Sequence, residues 1–76
     1  MNLTTIGANQ TMITLANGAQ VFFSYNTPVA AYLPGVGYVV TATKHSATTS
    51  KHVNAWAGKG CDTRPQEFFD NLIKSA

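Results

Sequence analysis

Thr11-Met12-Ile13-Thr14-Leu15-Ala16-Asn17-Gly18-Ala19-Gln20-Val21-Phe22-Phe23-Ser24-Tyr25 is where the architecture is most legible. Thr11 to Leu15 and Gln20 to Tyr25 are rich in β-branched and aromatic residues, and they flank Ala16 to Ala19, whose Asn17-Gly18 pair is a strong short-range hairpin signal. Along the second segment Val21, Phe23 and Tyr25 alternate with Phe22 and Ser24. Each face of this strand therefore carries an aromatic, and at least one face requires a cover.

Working outward, Leu3 to Ile6 reads as a preceding strand. Asn26, Thr27 and Pro28 break the strand, Val29 to Leu33 forms a short strand, and Pro34-Gly35 marks a turn before a strand from Gly37 to Thr43. Past Lys44, Ser46 to Ser50 is a hydroxyl run suited to a helix N-cap. Lys51 to Ala57 then carries Val53, Trp56 and Ala57 at helical spacing, a two-turn helix stopped by Gly58. Thr63 and Gln66 bracket Pro65 in a capping-box pattern, and Phe68, Phe69, Leu72 and Ile73 share one face of a second helix. The expected fold is α+β. It is a small twisted antiparallel sheet of four to five strands, covered on one face by a short helix and a C-terminal amphipathic helix.

The 76 residues make one domain, with the sheet in 1–43 and the helical part in 48–76. Hydrophobic residues are 45% and charged residues 11%, against about 25% charged in an ordinary soluble domain, so charge-driven disorder is excluded. A core of this size rarely supplies more than ~3–5 kcal/mol, which favours oligomerisation or a bound partner. The single cysteine, Cys61, rules out an internal disulfide and fits a reducing cytoplasm. No leader pattern and no apolar run long enough for a membrane span occur, so no membrane partner is expected.

The charges are unevenly placed. Residues 1–43 hold no Asp, Glu, Lys or Arg, whereas 44–64 hold Lys44, Lys51, Lys59 and Arg64 against Asp62, a local balance of +3. A sheet surface covered by Thr, Asn, Gln and Ser explains the uncharged part blandly. The sharper explanation is contact, because sheet edges without charged residues invite pairing, in a homodimer or with a partner chain.

Chemistry is poorly supported. Cys61 with His45 or His52 has no recognisable nucleophile signature, and His45, His52, Cys61 and Asp62 lack the paired spacings of a zinc site. Glu67 and Asp70 lie one helical turn apart and read as solvated helix charges, and the glycines match no phosphate loop. No catalytic residue, metal or cofactor is expected, and the chain is not read as an enzyme. One cluster survives, in which Lys44, His45, Thr49, Ser50, Lys51, His52, Asn54 and Trp56 gather around a helix start. Amides, hydroxyls and ammonium groups there favour an anion such as phosphate, with Trp56 or Tyr38 to stack a base. The structural alternative is that the hydroxyls cap the helix and His52 packs on Trp56.

Two stretches carry a resemblance: Phe23-Ser24-Tyr25-Asn26-Thr27-Pro28-Val29-Ala30-Ala31 and Thr48-Thr49-Ser50-Lys51-His52-Val53-Asn54-Ala55-Trp56. They resemble a group of very small bacteriophage-encoded proteins. In that group a Ser-Tyr-x-Thr-Pro-Val-Ala strand precedes a Thr-Thr-x-Lys/Arg-His-Ile/Val-Asn-x-Trp helix. The resemblance spans about residues 11–57, and the chain departs from the pattern at Ala47 and in its longer tail from Gly58. It implies a phage origin, a role in the cytoplasm of an infected bacterial host, and no catalytic residue, because the group carries no assigned activity. Two functions follow as expectations. The first is a non-catalytic accessory protein that binds and modulates a host protein. The second is a nucleic-acid or nucleotide-binding module built on the basic 44–64 segment.

Overall fold

The computed structural model describes residues 2–58 and 60–74. Five strands run in sequence order as an antiparallel meander: β1 (Asn2–Gly7), β2 (Gln10–Thr14), β3 (Gln20–Ser24), β4 (Thr27–Leu33) and β5 (Gly37–Thr41). Helix α1 (Ala47–Ala57) follows, then a short strand β6 (Asp62–Arg64) and helix α2 (Gln66–Lys74). β6 pairs in parallel with β5, through Val39 to Asp62, Val40 to Thr63 and Thr41 to Arg64. The α+β class stands, but the sheet is six-stranded and mixed rather than a four- to five-stranded antiparallel one. A parallel pair needs a long crossover, and α1 supplies it. The segment read as purely helical thus contains the last strand, whose three residues are too few to show periodicity.

Local chemistry accounts for the turns. At the hairpin the Gly18 N–H donates to the Leu15 carbonyl at 3.0 Å and Leu15 N–H donates to the Ala19 carbonyl at 2.7 Å. Gly18 has φ 89°, a left-handed value that glycine reaches without steric cost, so the loop is a turn followed by a left-handed residue rather than a two-residue connection. The Asn17 side chain accepts from Ala19 N–H at 3.0 Å. Between β4 and β5, Val36 N–H donates to the Leu33 carbonyl at 3.0 Å, with Pro34 and positive-φ Gly35 in the centre, the residues a type II turn demands.

Pro28 does not break the strand. It sits inside β4 at a register shift, where Phe22 pairs Ala30 while Phe23 pairs Pro28, leaving Val29 as the extra residue. A bulge tolerates the missing proline N–H, which is why the strand continues through it.

The two helices lie on opposite faces, contrary to the one-face expectation. Successive side chains on a strand alternate in direction, so the paired row Val21, Ala31, Val39 points away from the row Phe22, Ala30, Val40. Val53 and Trp56 of α1 pack with Phe22, Val29, Ala30 and Val40, whereas Phe69, Phe68 and Leu72 of α2 pack with Ala31, Val39 and Leu33. Val21, Phe22, Ala31, Val39 and Phe69 are all fully buried. Burying each large side chain is worth about 1.5–3 kcal/mol. Two small cores therefore share one sheet, because aromatic and aliphatic residues occur on both faces of β3 and β4.

Candidate functional site

Ser46 caps α1. Its extended backbone lets its Oγ accept from Thr49 N–H at 3.1 Å, so the first helical residue is Ala47 and the helix has three turns instead of two. The Ser46 and Ser24 hydroxyls both donate to Thr49 Oγ1, at 3.1 and 3.2 Å. Ser24 Oγ lies 2.9 Å from His52 Nδ1. With its own hydrogen given to Thr49, Ser24 accepts from the Nδ1–H of His52. Ser46, Thr49, Ser24 and His52 thus form one chain of polar contacts running from the helix cap to its second turn. Ser24 and Thr49 are the two buried polar residues of the described structure, and each is satisfied by this chain.

Trp56 is anchored rather than free. Its ring stacks on Phe22 at 5.1 Å with 14° between planes and meets Tyr38 in a T-shaped contact at 5.3 Å. Tyr38 in turn meets Tyr32 at 5.0 Å across β4 and β5. Offset and edge-to-face pairs of this kind add about 0.5–1.5 kcal/mol each beyond area burial. His52 does not pack on Trp56 but leans toward Tyr25, with ring centroids 6.0 Å apart.

His45 is held by Gln66. The Gln66 amide uses its full capacity: Oε1 accepts from Thr41 Oγ1 and from His45 Nε2–H, both at 2.9 Å, while Nε2 donates to the Pro28 carbonyl at 2.6 Å and to Asp70 Oδ1 at 3.3 Å. The expected capping box is absent, because Thr63 belongs to β6 and Gln66 reaches across to β4, β5 and the loop after β5.

The structure gathers part of the expected cluster. His45, Thr49, Ser50 and Asn54 line a shallow hollow of about 210 Å³ with Val40, Thr41, Thr43 and Val53. Lys44 and Lys51 are exposed, and neither lines it. His52 and Trp56 face the sheet, and Lys59 lies outside the described residues. Among the described residues, no three His, Cys, Asp or Glu side chains come together to hold a metal ion. Ser24, Thr41 and Gln66 were missed by sequence reasoning. A lone serine on an aromatic-rich strand, opposite a histidine-bearing helix, was the available signal for Ser24.

A second hollow of similar size lies on the α2 side of the other half of the sheet, lined by Leu3, Thr11, Ile13, Phe23 and Asn26. Leu3 pairs Ile13, and Thr11 pairs Phe23, so these side chains share one face. Leu3 is 68% exposed there, since α2 sits over β4.

No helix among the described residues is long and apolar enough to cross a membrane. A family model described as a family of unknown function, DUF8033, matches residues 1–71, and the chain belongs to that family. No curated protein and no solved structure matches it.

Proposed function

We propose that this member of the DUF8033 family is a small non-catalytic accessory protein of a bacteriophage, acting in the cytoplasm of the infected bacterium, where it binds and modulates a host protein. The carrying observation is the partly uncovered face of β1 and β2 beside β3, where exposed Leu3 and half-buried Ile13 and Phe23 line a hollow without an ionisable side chain. Apolar surface rimmed by Thr11 and Asn26 suits a protein contact. The phage origin rests on the Ser-Tyr-Asn-Thr-Pro-Val-Ala and Thr-Thr-Ser-Lys-His-Val-Asn-Ala-Trp segments, and the compartment on the lone cysteine.

The second reading is a nucleic-acid or nucleotide-binding module on the basic segment. It is favoured by exposed Lys44 and Lys51 flanking the start of α1. It carries less weight because His45, His52 and Thr49 already have protein partners and Trp56 is stacked on Phe22.

An affinity capture from bacterial host lysate, with and without nuclease, separates the two. The test compares the full chain with a Thr11→Lys, Asn26→Lys variant of the hollow and a Lys44→Ala, Lys51→Ala variant of the basic segment. A stoichiometric protein that survives nuclease, is kept by the lysine variant and is lost by the hollow variant supports host-protein binding. Nucleic acid lost with the two lysines, and weakening steeply as salt rises, supports the rival.

A further inference from the structure

We infer that two copies of this chain pair through β1, antiparallel and about a two-fold axis, so that their sheets become one continuous sheet. The inference stands on the edge strand and is independent of the host-binding reading. β1 is one edge of the sheet, six residues long (Asn-Leu-Thr-Thr-Ile-Gly), with no charge and no proline among them. An edge strand leaves a row of backbone N–H and C=O groups without a neighbour, and natural edges are usually blunted by lysine, proline or brevity. β1 has no lysine, no proline and is not short. A register shift between Thr5 and Gly7 confines its irregularity to the end of the strand, leaving Asn2–Thr5 as a regular edge, and Leu3 and Ile6 on it are 68% and 45% exposed.

The opposite edge is blunted. β6 is three residues long, carries Asp62 and Arg64, and is followed by Pro65. One open edge and one blunted edge give a closed two-fold pair instead of an open fibre, because a second round of addition has no template.

The charge distribution selects a second copy as the occupant. The charged side chains of α1, β6 and α2 lie over the β3 to β6 half of the sheet. The nearest of these strands, β3, is two strand spacings, about 10 Å, from β1, already more than a screening length of ~8 Å at physiological salt. Two copies of net charge +2 thus approach through a pole that carries no charged side chain among the described residues. A two-fold perpendicular to the sheet keeps corresponding faces together, so the Leu3, Ile13, Phe23 strip of one copy continues into that of its partner across the seam.

Sedimentation equilibrium of the full chain, from micromolar to about 1 mM, reads the association. It is run on the wild type, Leu3→Lys, Thr4→Lys and, as a control for added charge elsewhere, Ala55→Lys. Leu3, Thr4 and Ala55 are exposed, so the fold tolerates each change. The expected result is twice the chain mass for the wild type and for Ala55→Lys. Both β1 variants should weaken association about tenfold or more, through like charges brought together at the seam. Hydrogen exchange on the wild type should show β1 amides gaining protection as concentration rises.

Leu3 and Thr4 point to opposite faces, so dissociation by Leu3→Lys alone would mean face stacking and overturn edge pairing. Equal dissociation by Ala55→Lys, a monomeric wild type throughout, or β1 amides indifferent to concentration would overturn it as well.

Discussion

Ser24 on β3 and His52 on α1, separated by 28 positions in sequence, meet with Oγ and Nδ1 2.9 Å apart. Ser24 is only 2% exposed and also donates to Thr49. This contact fixes the rotation of α1 on the sheet, because a helix packed only by Val53 and Trp56 has no directional bond to set its angle.

Removing the hub should therefore be costly for so small a side chain. Ser24→Ala leaves Thr49 Oγ1 and His52 Nδ1 each short of a partner and is expected to destabilise by about 1–3 kcal/mol. Thr49→Val should act similarly. The double variant should lose less than the sum of the two, since both changes break one shared network. Guanidinium denaturation of the four proteins measures the coupling.

Phe22 is fully buried beneath Trp56. Phe22→Ala is expected to cost about 3–5 kcal/mol, close to the whole stability a domain of this size commands. The variant should be largely unfolded at room temperature. Trp56 is the one tryptophan, so a red-shifted emission maximum in native buffer reports the loss directly, whereas Trp56→Phe should stay folded by circular dichroism.

Gln66 uses all four hydrogen-bonding positions of its amide. Gln66→Glu keeps the shape but replaces the donor facing the Pro28 carbonyl and Asp70 with an acceptor. Its expected cost is about 2–3 kcal/mol, more than the ~1–2 kcal/mol of Gln66→Ala. Urea midpoints at neutral pH check the order, and the reverse order would mean that the contact with Pro28 contributes little.

Tyr25 stands at φ 57° in the turn between β3 and β4, with its side chain 48% exposed. A bulky residue in the left-handed region costs about 1–3 kcal/mol. Tyr25→Gly should therefore leave stability unchanged or raise it by up to ~1 kcal/mol, despite the loss of an aromatic ring and the greater freedom of glycine in the unfolded chain. A lowered melting temperature would show that the ring's contact with His52 outweighs the backbone strain.

The elements most legible in the sequence were those set by local chemistry. The Asn17-Gly18 hairpin, the Pro34-Gly35 turn, the Ser46 cap region and the Gly58 stop all depend on which backbone angles a few adjacent residues prefer. The apolar face of α2 was equally plain in Phe68, Phe69, Leu72 and Ile73. Pro28 misled because a bulge, invisible to local preference, accommodates it. Gln66 misled because its three-residue spacing from Thr63 imitates a cap while its side chain is committed to Pro28, Thr41 and His45.

For the candidate site, sequence proximity overstated spatial proximity. His45 and His52 lie seven positions apart, yet one is tied to Gln66 and the other to Ser24. A side chain's neighbours across a sheet are distant in sequence, so its hydrogen-bond partner is set by packing.

By itself the sequence determined the α+β class, the strand segments up to Thr41, the two helices and the confinement of charge to one part of the chain. These follow from residue periodicity, turn preferences and composition. Only the tertiary structure decided that β6 joins the sheet in parallel and that the helices cover opposite faces. It also left β1 as the long uncharged edge. Those outcomes depend on long-range pairing and on which of two apolar faces each helix finds, and no window of neighbouring residues encodes that choice.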